Sequence, residues 1–498
     1  MTLTLRGHDR KPAAEQALLN YFPPWVEGEA VSSLHTGQIW LTAAARLRLA
    51  DGRTARGVVR GRLPHANADR MIRECFYRAA RKLLPDDPPW GSLTGIRPAK
   101  AVAGFWETLP DTFGERQRER AVGAAFHLGP ERRRLAVECA RAAAAERGRL
   151  EPRDVALYVG VPFCPSRCAY CSFVSSDVAR SHRLVEPFVA RLTEEIALTG
   201  RVAADLGLRP VTLYIGGGTP TVLEPDALGR VLDALYGAFG LEACTEITVE
   251  AGRPDTLTAD KLAVLRGHGV TRVSVNPQSF RDAVLRAIGR KHTARQARDA
   301  LSLARAAGFP TINADLIAGL PGDTPKGFAR SLEELLTFRP ENLTIHTLAR
   351  KKGAAIWEDR TRPASAAAVR ERLDAAYTRL REAGYAPYYL YRQKFMAGGC
   401  ENVGWTLPGH ASRYNLHMME ELTTVLAMGS GVTKLVRPTG RDDMPWRIDR
   451  IANCKFPLEY LEKHDKIEGN LEKIRALLTQ PVPRGTPTPA SERSTPSL

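Results

Sequence analysis

The stretch Val155-Ala-Leu-Tyr-Val-Gly-Val-Pro-Phe-Cys-Pro-Ser-Arg-Cys-Ala-Tyr-Cys171 decides how the rest of the chain is read. Its first seven residues form a short apolar, β-branched run of the kind that makes a buried strand. Straight after it come Cys164, Cys168 and Cys171, a CxxxCxxC motif in the loop at the strand's end. The chain has 8 cysteines in 498 residues, and chance would place three at these offsets at a rate of roughly 0.002. Soft thiolates from one short loop suit zinc or an iron–sulfur cluster. Structural zinc wants four protein ligands, commonly from a second CxxC pair, and this sequence has none. Three thiolates on a [4Fe-4S] cluster leave one iron open to a small molecule, so the cluster is the favoured reading.

Downstream, short β-branched runs alternate with amphipathic helical stretches. The runs are 155–161, 211–215, 246–250, 271–275, 312–317 and 342–346, and the helical stretches are 184–204, 225–239, 259–267, 294–307, 325–337 and 365–382. Six strand–helix units in series imply a parallel sheet, and the expected fold class is α/β, a partial (β/α)6 barrel spanning residues 155–384. The unusual residues follow strand ends: the cysteines after the first, GGGTPT (216–221) after the second, Glu250 closing the third, NPQ (276–278) after the fourth. In a barrel those ends share one face, where active sites sit.

Residues 1–110 read as a separate α+β domain, with period-two stretches at 38–49 and 54–63 and a helical pattern at 66–84. A Pro-rich break and the sequence LTGIRPAK (93–100) follow, the latter expected as loop because of its Gly and Pro. Residues 111–154 are expected to form a helical connector, 385–480 a C-terminal cap, and 481–498 a disordered Pro/Ser/Thr tail.

Lys and Arg number 71 against 55 Asp and Glu, a net charge of +16, and 44% of the residues are hydrophobic. No run reaches about 18 uncharged apolar residues, and the first residues lack the apolar core of a signal peptide, so the expected location is cytoplasmic without membrane contact. In that setting eight cysteines are not a disulfide framework. The basic excess answers to RNA or to a small polyanion.

CxxxCxxC after a first barrel strand resembles the radical S-adenosylmethionine superfamily. YVGVPFC ending at Cys164, GGGTPT, Glu250, QSF (278–280) and NADLIAGLPG (313–322) resemble its oxygen-independent coproporphyrinogen III oxidase family. LTGIRPAK, TIHTLARKKG (344–353) and YYLYRQKFMAGGCENVGW (388–405) are similar to the HemZ-type coproporphyrinogen dehydrogenase branch. The resemblance implies a [4Fe-4S] cluster on Cys164, Cys168 and Cys171, and S-adenosylmethionine contacts from Tyr158, Gly217, Gly218, Thr219, Glu250, Gln278, Arg290, Asp315, Ala349 and Thr433. Tyr158 and Glu250 are the residues it places at the chemistry. It further implies a tetrapyrrole substrate, decarboxylated at two propionates of coproporphyrinogen III, and a reductant protein such as flavodoxin or ferredoxin. Nucleic acid is not an expected partner on this reading. Two positions depart from the oxidases: Gly160 stands where they carry a His, and Phe173 where they carry a fourth Cys. A haem carrier on the same scaffold, or another tetrapyrrole- or RNA-modifying radical enzyme, stays open as an alternative.

Overall fold

The computed structural model describes residues 1–480 except 174, 350–353, 359–364, 395 and 440–445. The tail expected to be disordered therefore lies outside the described residues. The chain divides into two compact units, one of Met1–Ala144, Leu316–Leu332 and Thr344–Gly409, the other of Ala145–Asp315, Glu333–Leu343 and the segment from His410 onward.

In the first unit a four-stranded sheet runs in chain order through Thr2–Arg6, Gly28–Thr36, Trp40–Leu49 and Thr54–Arg62. Only its last two strands were read from period-two patterning; Gly28–Thr36 holds two serines and a histidine, and the alternation of Thr2–Arg6, TLTLR, spans only five residues. One face packs on the helices Lys11–Tyr21 and Ala68–Ala80 around Leu47, Ile72 and Phe76, all fully buried. That contact needs Gly57, because a β-carbon there would lie 2.0 Å from the Cys75 carbonyl oxygen. LTGIRPAK is loop only as far as Arg97. Pro98 opens the helix Pro98–Glu107, where its missing N–H is no loss.

A buried carboxylate organises the rest of this unit. Glu401 is wholly buried, accepts hydrogen bonds from Trp90 Nε1 (2.7 Å) and Tyr377 OH (3.0 Å), and pairs with Arg132 (3.1 Å). Arg392 donates to the carbonyls of Leu93 and Gly399 and to Asn20 Oδ1, and its own N–H bonds the Ile96 carbonyl. Leu93 and Ile96 of LTGIRPAK thus meet Arg392 of the later stretch as packing partners. Asn402–Thr406 lies beside Thr344–Thr347 and pairs antiparallel with Ala386–Tyr391.

In the second unit the strands Asp154–Val161, Arg209–Gly217, Glu246–Glu250 and Arg272–Ser274 are hydrogen-bonded as neighbours in chain order and are followed by the start of a fifth, Thr311–Ala318; that strand and a sixth, Asn342–Thr347, each begin in the second unit and end in the first. The pairings from the first to the fifth are parallel. The C-terminal region adds Thr424–Gly429, parallel to the first strand, and then Val432–Pro438 and Trp446–Ala452 in antiparallel succession. The helices follow their amphipathic patterns. Ala294–Ala306, for example, buries Ala297, Ala300, Leu301 and Ala304, and starts at a capping box in which Thr293 and Gln296 satisfy each other's backbone N–H groups. No helix among the described residues is long and apolar enough to cross a membrane.

Replacing Gly57 with Ala should destabilise the first unit by about 1–3 kcal/mol through overpacking against the helix backbone. Urea unfolding of the variant against the parent checks this, and an unchanged midpoint would contradict the packing described.

Candidate functional site

Strand alternation divides the second unit's sheet into two unlike faces. Leu157, Val159, Val249, Ile312 and Ala314 are buried, whereas Tyr158, Tyr214, Glu250, Asn313 and Asp315 are half-buried. Tyr158 stands opposite Tyr214, and Glu250 opposite Ser274, which is opposite Asn313, so the second set shares one polar face.

The cysteine loop leaves the end of the first strand and is fastened from several sides. Gly218 N–H bonds the Val161 carbonyl and Thr219 N–H the Phe163 carbonyl, both at 2.8 Å. The glycines of GGGTPT make this approach possible. A β-carbon on Gly218 would stand 2.3 Å from the Phe163 oxygen, and Gly217 has φ +108° with the backbone of Val161 3.0 Å from its β-position. Arg253 reaches in from beyond the third strand. Its guanidinium pairs with Asp255 (3.0 Å) and donates to Ser166 Oγ (3.0 Å), with Cys168 Sγ at 3.9 Å. Ala169 N–H bonds the Ile288 carbonyl. Cys164 Sγ lies 3.5 Å from Thr219 Oγ1. Burial pushes the Cys171 thiol up, with the neighbouring Cys168 and Cys164 adding to the rise.

Beside this loop Tyr158, Tyr214 and Tyr414 stack, with ring centroids 4.5 Å apart for Tyr214 and Tyr414 and 6.3 Å for the other two pairs. Tyr414 is delivered by the helix Arg413–Glu420, whose N-terminal backbone N–H groups at Arg413 and Tyr414 donate to Glu246 at 2.8 and 3.1 Å. The same helix is also held by Glu146, which accepts from Arg413 Nε (2.7 Å) and contacts His417 Nε2 (2.8 Å). Tyr214 OH donates to Glu250. Desolvation pushes the Glu250 carboxyl up to about 7, and Asp315 adds to the rise, against the lowering effect of hydrogen bonds from Tyr214 and the Gly217 N–H.

Gln278 is the clearest mark of a site awaiting a ligand. It is buried, it has φ +65° although it is not glycine, its N–H bonds the Asp315 carbonyl, and its Oε1 has no hydrogen-bond partner. Strained backbone and an orphaned buried acceptor each carry a cost that a structural residue has no reason to bear. Arg290 is buried close by and donates to the carbonyls of Gly252 (2.8 Å) and Asn276 (3.2 Å) and to Tyr170 OH (2.9 Å). Asp315 Oδ1 accepts from Asn313 Nδ2 at 2.9 Å. Tyr158, Gly217, Gly218, Thr219, Glu250, Gln278, Arg290, Asp315 and the three cysteines all belong to this unit. Thr433 does too, but its hydroxyl accepts from Ala427 N–H (2.9 Å) in the neighbouring strand. Ala349 belongs to the other unit, where it bridges to Met396.

Sequence reasoning missed Tyr214, Arg253, Glu246 and Tyr414. Tyr214 and Glu246 sit within strands already delineated, and their position on the sheet's polar side carried a signal. Arg253 and Tyr414 carried none, since each reaches the site through a loop or helix connection.

The pattern for the radical SAM superfamily matches residues 158–335. The chain is 36% identical over 395 residues to the oxygen-independent coproporphyrinogen-III oxidase-like protein HemZ of Bacillus subtilis (strain 168), spanning 78% of this chain and 77% of that one. The chain belongs to the radical SAM superfamily, among its coproporphyrinogen oxidase-like proteins. It is also 28% identical over 321 residues to the heme chaperone HemW of Escherichia coli (strain K12), covering 63% of this chain and 79% of the relative. Among solved structures, coproporphyrinogen III oxidase of Escherichia coli aligns with a TM-score of 0.49 at 25% identity, over 59% of this chain and 67% of that one. Membership brings with it the superfamily's cofactors, a [4Fe-4S] cluster and S-adenosylmethionine. The donor set fits them: three thiols on one pinned loop, next to a polar face with an unfilled acceptor.

Glu250 gives the ligand-free protein a distinctive pH dependence. Its carboxyl is higher in the folded chain, at about 7, than the ordinary 4.5. Between those values the folded state holds more protons than the unfolded one, so stability falls as pH rises through that window and levels off above it. Relative to Glu250→Gln, the parent should lose up to roughly 3 kcal/mol between pH 4.5 and 7. Chemical unfolding at several pH values checks this, and parallel profiles for the two proteins would contradict it.

Proposed function

We propose that the chain is a radical enzyme that converts two propionate side chains of coproporphyrinogen III to vinyl groups, each losing one hydrogen atom to the 5′-deoxyadenosyl radical, one carbon dioxide and one electron that passes to a one-electron acceptor, giving protoporphyrinogen IX. The observation that carries this reading is Gln278, buried, strained, bonded through its N–H to the Asp315 carbonyl and left with an unsatisfied Oε1, a setting that a protein merely holding haem would have no reason to keep. The reaction class follows the relative named as coproporphyrinogen-III oxidase-like, and the net charge of +16 suits a substrate with four carboxylates.

On this proposal Cys164, Cys168 and Cys171 hold the cluster. When bound, it supplies the electron that splits S-adenosylmethionine into methionine and a 5′-deoxyadenosyl radical, the agent of hydrogen removal from the propionate. The chain's own part is positioning. Arg253 and the Gly218–Thr219 backbone keep the cysteine loop in one place. Glu250 offers a carboxylate to a cationic group of the cosubstrate, and such a group draws off its proton. Gln278, Arg290 and Asp315 supply polar contacts and Tyr158 an aromatic surface. Thr433 is better read as positioning the strand beside Tyr158, since its hydroxyl is engaged with Ala427. A reductant protein such as flavodoxin or ferredoxin supplies the electrons.

A second reading, haem carriage, is favoured by Gly160. A β-carbon there would stand 2.4 Å from the Ser430 carbonyl oxygen, and Ser430 N–H bonds the Gly160 carbonyl at 2.9 Å. The place where the oxidases carry a histidine is thus filled by backbone, and any donor that histidine provides is missing.

The two readings part in one assay. Anaerobically reconstituted protein with dithionite, S-adenosylmethionine and coproporphyrinogen III should yield 5′-deoxyadenosine, carbon dioxide and a divinyl product together, and Cys168→Ala should yield none. Stoichiometric haem binding with no 5′-deoxyadenosine from the parent would sink the oxidase proposal and favour the carrier.

A further inference from the structure

The four-stranded sheet of the first unit has a second face, turned to solvent. The registers place its side chains in rows across the strands. Glu29 is opposite Arg48; Val31, Arg46 and Arg56 share the next row; then Arg6, Ser33, Ala44 and Val58; then His35, Thr42 and Arg60; then Trp40 and Arg62. Six arginines stand on this face against a single glutamate. None of the six side chains forms a hydrogen bond or ion pair among the described residues. Arg46 and Arg56 are direct cross-strand partners, an arrangement of like charges that destabilises a sheet. Trp40 lies on the same face, 49% exposed, beside Arg62, and Val58 is 37% exposed.

An ordinary solvated surface mixes both signs of charge and does not set like charges opposite one another. This face does the reverse, and its middle is flat, because Ser33, Thr42 and Ala44 are small. The patch runs about 27 Å along the strands and about 14 Å across them.

We propose that this face binds single-stranded nucleic acid. Every cation on it is an arginine, whose planar fork grips phosphate oxygens and stacks on bases, and the exposed indole of Trp40 offers a stacking platform at the margin of the cluster. The small central residues let a phosphate backbone approach the sheet while the arginines reach round it. A four-stranded sheet presenting arginine and aromatic side chains on an open face is a form suited to unstacked bases rather than to a duplex. An acidic protein would match the charge but gives no reason for Trp40 to stand exposed among the guanidinium groups.

The test uses the full-length chain, a fluorescein-labelled 20-nucleotide RNA of mixed sequence, and anisotropy at 50–300 mM potassium chloride. Binding should weaken steeply with salt, with a log–log slope of roughly −2 or steeper if three or more phosphates are gripped. Combined Arg46→Glu, Arg56→Glu and Arg60→Glu should weaken it at least about tenfold, and Trp40→Ala roughly fivefold or more. Should the triple variant melt early, Trp40→Ala and Val58→Glu, both at exposed positions, decide the matter. The control Arg295→Glu, an exposed arginine in the other unit, should bind as the parent does. The proposal is overturned if RNA is not bound at 50 mM salt, or if Arg295→Glu costs as much as the triple change. It is equally overturned if a poly-glutamate peptide competes as well as RNA and Trp40→Ala changes nothing, which would make the face a dock for acidic protein.

Discussion

The constraint on which the site depends is a backbone-to-backbone contact: Gly218 at the end of one parallel strand against Phe163, the residue before the first cysteine. No side chain fits between them. The carbonyl that would collide with a β-carbon is the one that accepts the Thr219 N–H. Hydrogen bond and close approach therefore depend on each other, and both depend on glycine. Once that seam is closed, the cysteine loop emerges at a fixed height above the sheet, and Arg253 and the Ile288 carbonyl need only hold its outer part. Glu250 takes up its position along the same edge, since the Gly217 N–H that turns away from the seam is one of its partners.

Buried charge in the second unit falls into two classes, and the contrast separates scaffold from site. Glu195 is pushed up by burial, yet it accepts from Gly429 N–H (2.7 Å), Asn453 Nδ2 (2.6 Å) and Tyr460 OH, and so pins the turn whose next residue, Ser430, covers Gly160. Glu246 and Glu146 are likewise met on each oxygen that matters by the helix carrying Tyr414. Those groups are complete without a ligand. Gln278 Oε1 is not, and Glu250 is supported only enough to remain a carboxyl near neutrality. Incompleteness at these two groups is what a site for a charged, polar cosubstrate requires.

Much of this was legible in the residues. The six barrel strands and their helices follow from period and composition, to within a residue or two at most ends, because a buried parallel strand needs β-branched runs and its covering helix needs an apolar stripe. The cysteine triad is local and was visible by spacing alone. What escaped was whatever depends on pairing between distant segments. GGGTPT reads as room for a ligand, whereas the structure shows that at least Gly218 makes room for the protein's own backbone. Thr433 reads as a contact, yet its hydroxyl closes a strand pair. Gly28–Thr36 has too little pattern to announce itself and the alternation of Thr2–Arg6 lasts only five residues, and with them went the arginine rows, which exist only once four strands are in register.

The measurement that bears most directly on the account is iron content in Gly218→Ala, a substitution that touches no cysteine. If the seam sets the cysteine loop, the reconstituted variant should hold well under half the parent's iron and lose most of the brown chromophore, while far-ultraviolet circular dichroism stays that of a folded chain. A full complement of iron in Gly218→Ala, with S-adenosylmethionine cleaved at the parent's rate, would contradict it.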